Sequence, residues 1–323
     1  MDLIHVRLLT TPALTGRTVD LLTADRHVLN LVVLASAAPG PAADLLECDV
    51  VKGAANQVLG DLRGLGIDRD GSIAVDEVEI MFSRWAERLE AAEPTTLVHT
   101  PLWAAVEANI RASGTYLPSF YLYLVIAGLI GSVGIMTNSQ ILIVAAMVVG
   151  PEYGAITSIA LGLDRGNRRR VRDGLRALAL GFTLAILVTL GFAVLVRQAG
   201  LQSHAFDLGL RPVSNLINTP NLLSATVAVL AGVVGIVSLA EARSSALLGV
   251  FISVTTIPAA SDVSVSIAFG AWSGALGSLL QLLLNVVLLV LVGVLTLRIQ
   301  RRLWRFAARR LGGSTGRWGP GPR

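Results

Sequence analysis

Residues 145–163 read AAMVVGPEYGAITSIALGL, an apolar run interrupted near its middle by Gly150-Pro151-Glu152. Proline removes one backbone donor and frees a carbonyl one turn upstream. A charged side chain at the centre of a membrane span costs about 2.5–3.5 kcal/mol on insertion scales. Broken backbone persists at that depth only where it packs inside protein or lines a wet cavity. The stretch is therefore read as a membrane helix broken beside an interior pathway, with Glu152 as a cation or proton site. A kinked helix carrying a structural Glu is the simpler alternative.

The rest of the chain fits a membrane setting. Of 323 residues, 53% are hydrophobic and 15% charged, with a mean hydropathy of +0.67. That is too apolar for an ordinary soluble protein. Charge divides along the chain: residues 1–95 carry 8 Lys+Arg against 15 Asp+Glu, and the remainder 18 against 7. The pI of about 9.8 thus averages an acidic soluble head and a basic membrane body. No aromatic-rich basic face suggests nucleic acid. Cys48 is the only cysteine, which excludes an intrachain disulfide and a CxxC metal site. The opening MDLIHVRLLTT lacks a basic n-region and a cleavage site, which suits a cytosolic N-terminus.

Within the head, Ile4–Leu9, Val28–Leu34, Leu45–Val51 and Ile73–Ile80 read as strands, and Leu14–Leu22 and Ala54–Leu65 as helices. PGPAAD (39–44) and Asp68–Gly71 read as turns. The order βαββαβ is that of a ferredoxin-like α+β domain over residues 1–81. Residues 82–117 form a linker, with a charged helix at Phe82–Glu93, a break at Pro94 and a short amphipathic helix at Leu102–Ile110 suited to the membrane interface.

Six spans are expected within a 118–297 membrane domain: 118–137, 139–163, 175–197, 221–240, 244–270 and 272–297. Residues 298–323 are a basic tail that rests on anionic lipid. DRGNRRRVRDGLR (164–176) and RIQRRLWRFAARR (298–310) carry six arginines each, Arg111 precedes the first span, and Arg243 sits in the fourth link. With six spans, all of these fall on one face, which the positive-inside rule assigns to the cytoplasm together with both termini.

An internal repeat is legible. VIAGLIGSVGI (125–135) and VLAGVVGIVSL (229–239) share Ala-Gly-x-x-Gly, and each precedes a proline-broken span, with Pro151 and Pro258 lying 23 and 26 residues after Gly128 and Gly232. Three spans per repeat is an odd number, so the second half enters from the opposite side, an architecture whose sites lie at broken helices.

The candidate pathway residues are Pro151, Glu152, Pro258, Ser261, Asp262, Gln281 and Asn285. Thr255, Thr256, Ser264 and Ser266 flank the second proline. Asp262 is placed either at depth or in the outer interface. Gln281 and Asn285 share a helix face, either to coordinate a substrate or to bond between helices. Asn138 and Ser139 read as a cap for the second span. Asp68, Asp70 and Gly71 fail the calcium-loop pattern. The four histidines are isolated, and no nucleotide or hydrolase fingerprint appears, so no enzyme activity, cofactor or metal is expected.

Residues 138–163, the arginine-rich link and the long span after it resemble a bacterial membrane family, domain of unknown function 389. GVFISVTTIPAASD (249–262) and Asn285 are similar to that family's later segments. Ala145, Gly150 and the Glu152-Tyr153 pair depart from its pattern. The resemblance implies the architecture and a bacterial inner membrane, and it carries no activity. The functional expectation is transport of a small solute or ion between inverted halves, by a homo-oligomer with a regulatory or oligomer-forming head. An oligomeric channel with an axial pore and a non-transporting scaffold or sensor are the alternatives.

Overall fold

The computed structural model describes residues 3–39, 42–78, 102–202, 209, 211–219, 221–240 and 255–312. It divides into two compact units, one built mainly on the N-terminal segment up to Ala105 and the other on Val106–Arg305. The expected helix at Phe82–Glu93 and the break at Pro94 lie outside the described residues.

In the first unit, β1 (Leu3–Thr10), α1 (Pro12–Ala24), β2 (Val28–Pro39), β3 (Ala42–Val51), α2 (Lys52–Gly64), α3 (Ile67–Asp70) and β4 (Ser72–Val78) form an antiparallel sheet in the order β2-β3-β1-β4. Period-2 alternation buries Ile4, Val6 and Leu8, whose cross-strand partners Val50, Cys48 and Leu46 are buried on the same face. Leu22 of α1 and Val58 and Leu62 of α2 join that core, so the helices cover one side of the sheet. Two expected turns are corrected. The β2–β3 strands run up to Pro39 and resume at Ala42, and Ile67–Asp70 is one turn of helix that starts from Gly66 at φ 84°.

Strand β2 carries two register shifts, and in each lies a non-glycine residue at positive φ: Asn30 (53°) and Ser36 (55°). Carboxylates of β3 hold both. The Asn30 amide donates to Asp49 Oδ2 at 2.7 Å, and the Ser36 N–H to Asp44 Oδ1 at 2.8 Å. Leu102 also joins this core, where the Trp103 N–H donates to Asn56 Oδ1 at 3.0 Å. The helix beginning there, α4 (Trp103–Ser113), buries Val106 and Ile110.

The second unit holds α5 (Pro118–Met136), α6 (Gln140–Val149), α7 (Glu152–Asp164), α8 (Arg168–Ala199), α9 (Pro212–Ile217), α10 (Leu222–Ala240), α11 (Thr256–Ala268) and α12 (Trp272–Gly312). Among the described residues, α5, α8, α10 and α12 are long and apolar enough to cross a membrane, and α6 and α7 form an apolar pair bent by 50° at its break, which counts as a fifth span or as a re-entrant loop. The chain is thus a mostly helical multi-pass membrane protein with a small sheet domain. Of the span expected at 244–270, residues 244–254 lie outside the described residues, and Thr256–Ala268 form the 13-residue α11. Two boundaries move. Helix α8 starts inside the arginine-rich link, and α12 continues without interruption through residue 297 into the basic tail.

The element bounds repeat at a constant shift. Pro118 and Leu222, Met136 and Ala240, Glu152 and Thr256, Asp164 and Ala268, and Arg168 and Trp272 are each 104 positions apart. So are Gly166 and Gly270, both at positive φ (67° and 73°) just past the ends of α7 and α11, where glycine ends a helix at least cost. At this shift the Ala-Gly-x-x-Gly motifs coincide but the prolines do not. Pro151 caps α7, whereas Pro258 is the third residue of α11 and matches Gly154.

Candidate functional site

The break after 145-AAMVVG has a simple local cause. Gly150 is extended (φ −65°, ψ 128°), its N–H closing α6 on the Ala146 carbonyl at 3.2 Å, and Pro151 then starts a new helix as its N-cap. Glu152 falls in the first turn of α7, where the helix dipole favours a carboxylate. It is 5% exposed.

Glu152 Oε1 accepts a 2.6 Å hydrogen bond from Thr256 Oγ1, and Thr256 is the first residue of α11. The N-termini of the two short helices therefore meet, and they meet through the residues that correspond under the 104-residue shift. Next to Thr256, Thr255 accepts from Asn285 Nδ2 at 2.8 Å, and Asn285 Oδ1 accepts from Gln281 Nε2 at 3.2 Å. Glu152, Thr256, Asn285 and Gln281 are all buried. Glu152 Oε2 and Gln281 Oε1 are buried acceptors without a hydrogen-bond partner. Of the expected residues, Glu152 bonds Thr256, while Gln281 and Asn285 form a second set on the adjacent Thr255 at the start of α11.

Ser261 and Asp262 face elsewhere. Ser261 donates to the Gly128 carbonyl of α5 at 3.1 Å and to the Ile257 carbonyl at 3.0 Å. Its side chain occupies the space a Cβ at Gly131 would need. In the other half Tyr153 of α7 lies against Gly235 in the same way. Each Ala-Gly-x-x-Gly motif therefore makes room for the short helix of the opposite half, a role the motif alone does not disclose. Asp262 is fully buried. Its Oδ2 accepts from Ser278 at 2.5 Å and from Ser266 at 3.3 Å, with Ser214 as a further partner. Ser139 caps α6 as expected, its hydroxyl accepting from the Leu142 N–H at 3.4 Å.

The far ends of the two short helices are held by arginines, again at equivalent positions. Arg301 is 8% exposed; it bonds Asp164, the last residue of α7, and reaches Glu107 of α4 at 3.1 Å. Arg298 adds a 3.3 Å bond to Asp164, and Arg165 bonds Glu107. Arg197 bonds the carbonyl of Ala268, the last residue of α11. Cations at helix C-termini complement the macrodipole. In the sequence Arg165, Arg298 and Arg301 mark orientation, and Arg197 carries no signal. Their contacts bring Glu107, Asp164, Arg165 and Arg298 to one end of the unit.

Compared with known proteins, residues 147–291 match the family model described as Domain of unknown function (DUF389). No curated protein and no solved structure matches the chain.

Proposed function

We propose that this chain, whose residues 147–291 belong to the DUF389 family of unknown function, moves a small solute or ion across the membrane at the meeting point of α7 and α11. The observation that carries the reading is the buried Glu152–Thr256 bond between equivalent positions. In an inverted repeat of three spans each, residues on the pseudo-two-fold axis touch their own counterparts near the bilayer midplane, where such folds keep their sites. The constant 104-residue shift supports that repeat. The unpartnered acceptors Glu152 Oε2 and Gln281 Oε1 support a proton or small cation as the species held there. The arginine-rich end then faces the cytoplasm with both termini.

The strand order β2-β3-β1-β4 supports a ferredoxin-like head. Edge strand β2 exposes Val32, Val33 and Leu34, which favours pairing between heads in a homo-oligomer. A second reading, a non-transporting membrane anchor for that head, draws on the closure of the site, since Glu152, Gln281 and Asn285 are each 5% exposed or less.

Flux separates the two. Purified protein in proteoliposomes is assayed for proton, potassium and chloride movement with pH- and ion-sensitive dyes. Transport requires flux above protein-free vesicles that Glu152→Gln reduces at least tenfold with the melting temperature retained. Absence of flux for all three ions favours the anchor, and flux unchanged by the substitution removes Glu152 from the mechanism.

A further inference from the structure

A cavity of about 200 Å³ opens at the arginine-rich end of the second unit, between the end of α4, the middle of α7 and the start of α8. Three guanidiniums line it: Arg111, Arg169 and Arg170. Ser158 and Tyr116 bring hydroxyls to its wall. Ser158 is 2% exposed, and the Tyr116 hydroxyl is buried and adjoins Ser158 beyond hydrogen-bonding geometry. Burial pushes the Tyr116 phenol above its ordinary range, so it stays a donor.

The charges around this cavity are unbalanced. Asp173 is the one lining carboxylate, and it pairs with Arg169 at 3.9 Å and with Arg172 at 3.7 Å. Arg111 pairs with Glu107 at 3.5 Å. Among the described residues, Arg170 has no carboxylate partner, and Arg111 lies close enough to repel it. Like charges gathered in a small recess call for an anion.

The other half of the molecule indicates where that anion sits. At the 104-residue shift Ser158 corresponds to Asp262, whose carboxylate is buried among the hydroxyls of Ser214, Ser266 and Ser278, with Arg211 nearby. Several positions around it differ in size and charge. Where the second half has Asn218, Ser266 and Ser278, the first has Gly114, Gly162 and Gly174. Where the second half has Ser273 and Gly274, the first has Arg169 and Arg170. One half thus fills the recess with its own carboxylate and no nearby guanidinium from its long helix. The other has the neutral Ser158 at that position and arginines on its long helix beside it.

We infer that the first-half cavity binds a phosphate-bearing anion, held by Arg111, Arg169 and Arg170 with the hydroxyls of Ser158 and Tyr116, where the second half uses Asp262. Guanidinium forks match phosphate oxygens in pairs. The start of the 32-residue α8, capped by Asn167, adds its dipole. The volume corresponds to roughly seven waters at about 30 Å³ each, room for one phosphate group. A free phosphate ion and the headgroup of an anionic phospholipid share this chemistry. The inference stands apart from the transport reading and rests on the correspondence between halves.

Two arms test it on the full chain. In delipidated micelles, inorganic phosphate is titrated by calorimetry. In nanodiscs of phosphatidylcholine with or without phosphatidylglycerol, retained lipid is counted by native mass spectrometry. Wild-type protein is expected to bind in at least one arm, the first identifying the free ion and the second the headgroup. Ser158→Asp, which supplies the internal carboxylate, and Arg170→Gln should each weaken binding at least tenfold. Arg176→Gln, which lines a separate groove with Leu163 and Leu175, should leave it unchanged. Should Ser158→Asp fail to fold, Arg170→Gln decides alone. Binding in neither arm overturns the inference. So does binding that survives Ser158→Asp and Arg170→Gln, or that Arg176→Gln weakens equally.

Discussion

Replacing Arg301 by Gln probes how the bent span is held in place. The Arg301 side chain is 10% exposed and lies between two carboxylates, those of Asp164 (7%) and Glu107 (14%). Removing one partner of a buried ion pair costs about 3–5 kcal/mol, because the remaining charge is stranded away from water. Here two carboxylates lose their shared partner, but Asp164 keeps Arg298, and Glu107 keeps Arg165 and Arg111, all about half exposed or more. These residual pairs bring the expected loss to the lower end, about 3 kcal/mol. Arg197→Gln is the internal comparison, since its partner is a carbonyl, and a hydrogen bond to a charged group contributes about 1.5–3 kcal/mol. Reversible unfolding in mixed micelles, with denaturant midpoints and slopes for both variants, gives the ordering. Glu107→Gln in the Arg301→Gln background should recover part of the loss. A loss under about 1 kcal/mol for Arg301→Gln, or one smaller than that for Arg197→Gln, refutes the claim that this network clamps the end of α7.

Other expectations follow from close approaches and from the head. Gly235→Ala drives a methyl into the Tyr153 ring and hydroxyl. It should cost more than the usual 1–3 kcal/mol of overpacking, with partial recovery in Gly235→Ala/Tyr153→Phe, measured by thermal melts. Cys48 is 1% exposed, and burial pushes its thiol up to about 12, so maleimide at neutral pH should label it only after denaturation. In the head, bonds from Thr15 and the Ser36 N–H hold the Asp44 carboxyl below its ordinary range, and the His27 side chain does the same for Asp25. A lowered folded-state pKa gives stability that is present above the ordinary carboxylate range and is lost as pH falls through the folded value. The first unit should therefore melt earlier on acidification, and Asp44→Asn should flatten that dependence in circular dichroism scans.

Much of this was legible in the chain. Alternation of Ile4, Val6 and Leu8 marked the sheet, and Gly150-Pro151 marked the break, because both depend on local periodicity and backbone chemistry. The Ala-Gly-x-x-Gly motifs lie 104 residues apart, as the element bounds do, whereas the two prolines lie 107 apart. Proline tolerates either the cap or the first turn of a helix, so it is a poor ruler. Helix starts and the positive-φ glycines Gly166 and Gly270 share the 104-residue spacing instead. Asp262 grouped with Glu152 in the sequence, but six residues of helix carry it about 9 Å along α11 from Thr256. The arginine clamp and the phosphate cavity were not legible, since each depends on segments brought together only by the tertiary fold.

The starts of α7 and α11 meet inside the protein. A Cβ built at Gly150 lies 2.7 Å from Ile257 Cγ1, so cysteines at these positions come within reach of a disulfide. In a Cys48→Ala background in native membranes, Gly150→Cys/Ile257→Cys should cross-link on mild oxidation, shifting mobility on non-reducing gels, while neither single variant shifts. If the double variant stays unlinked while both thiols react with a lipid-soluble maleimide, the two segments face lipid separately and the account fails.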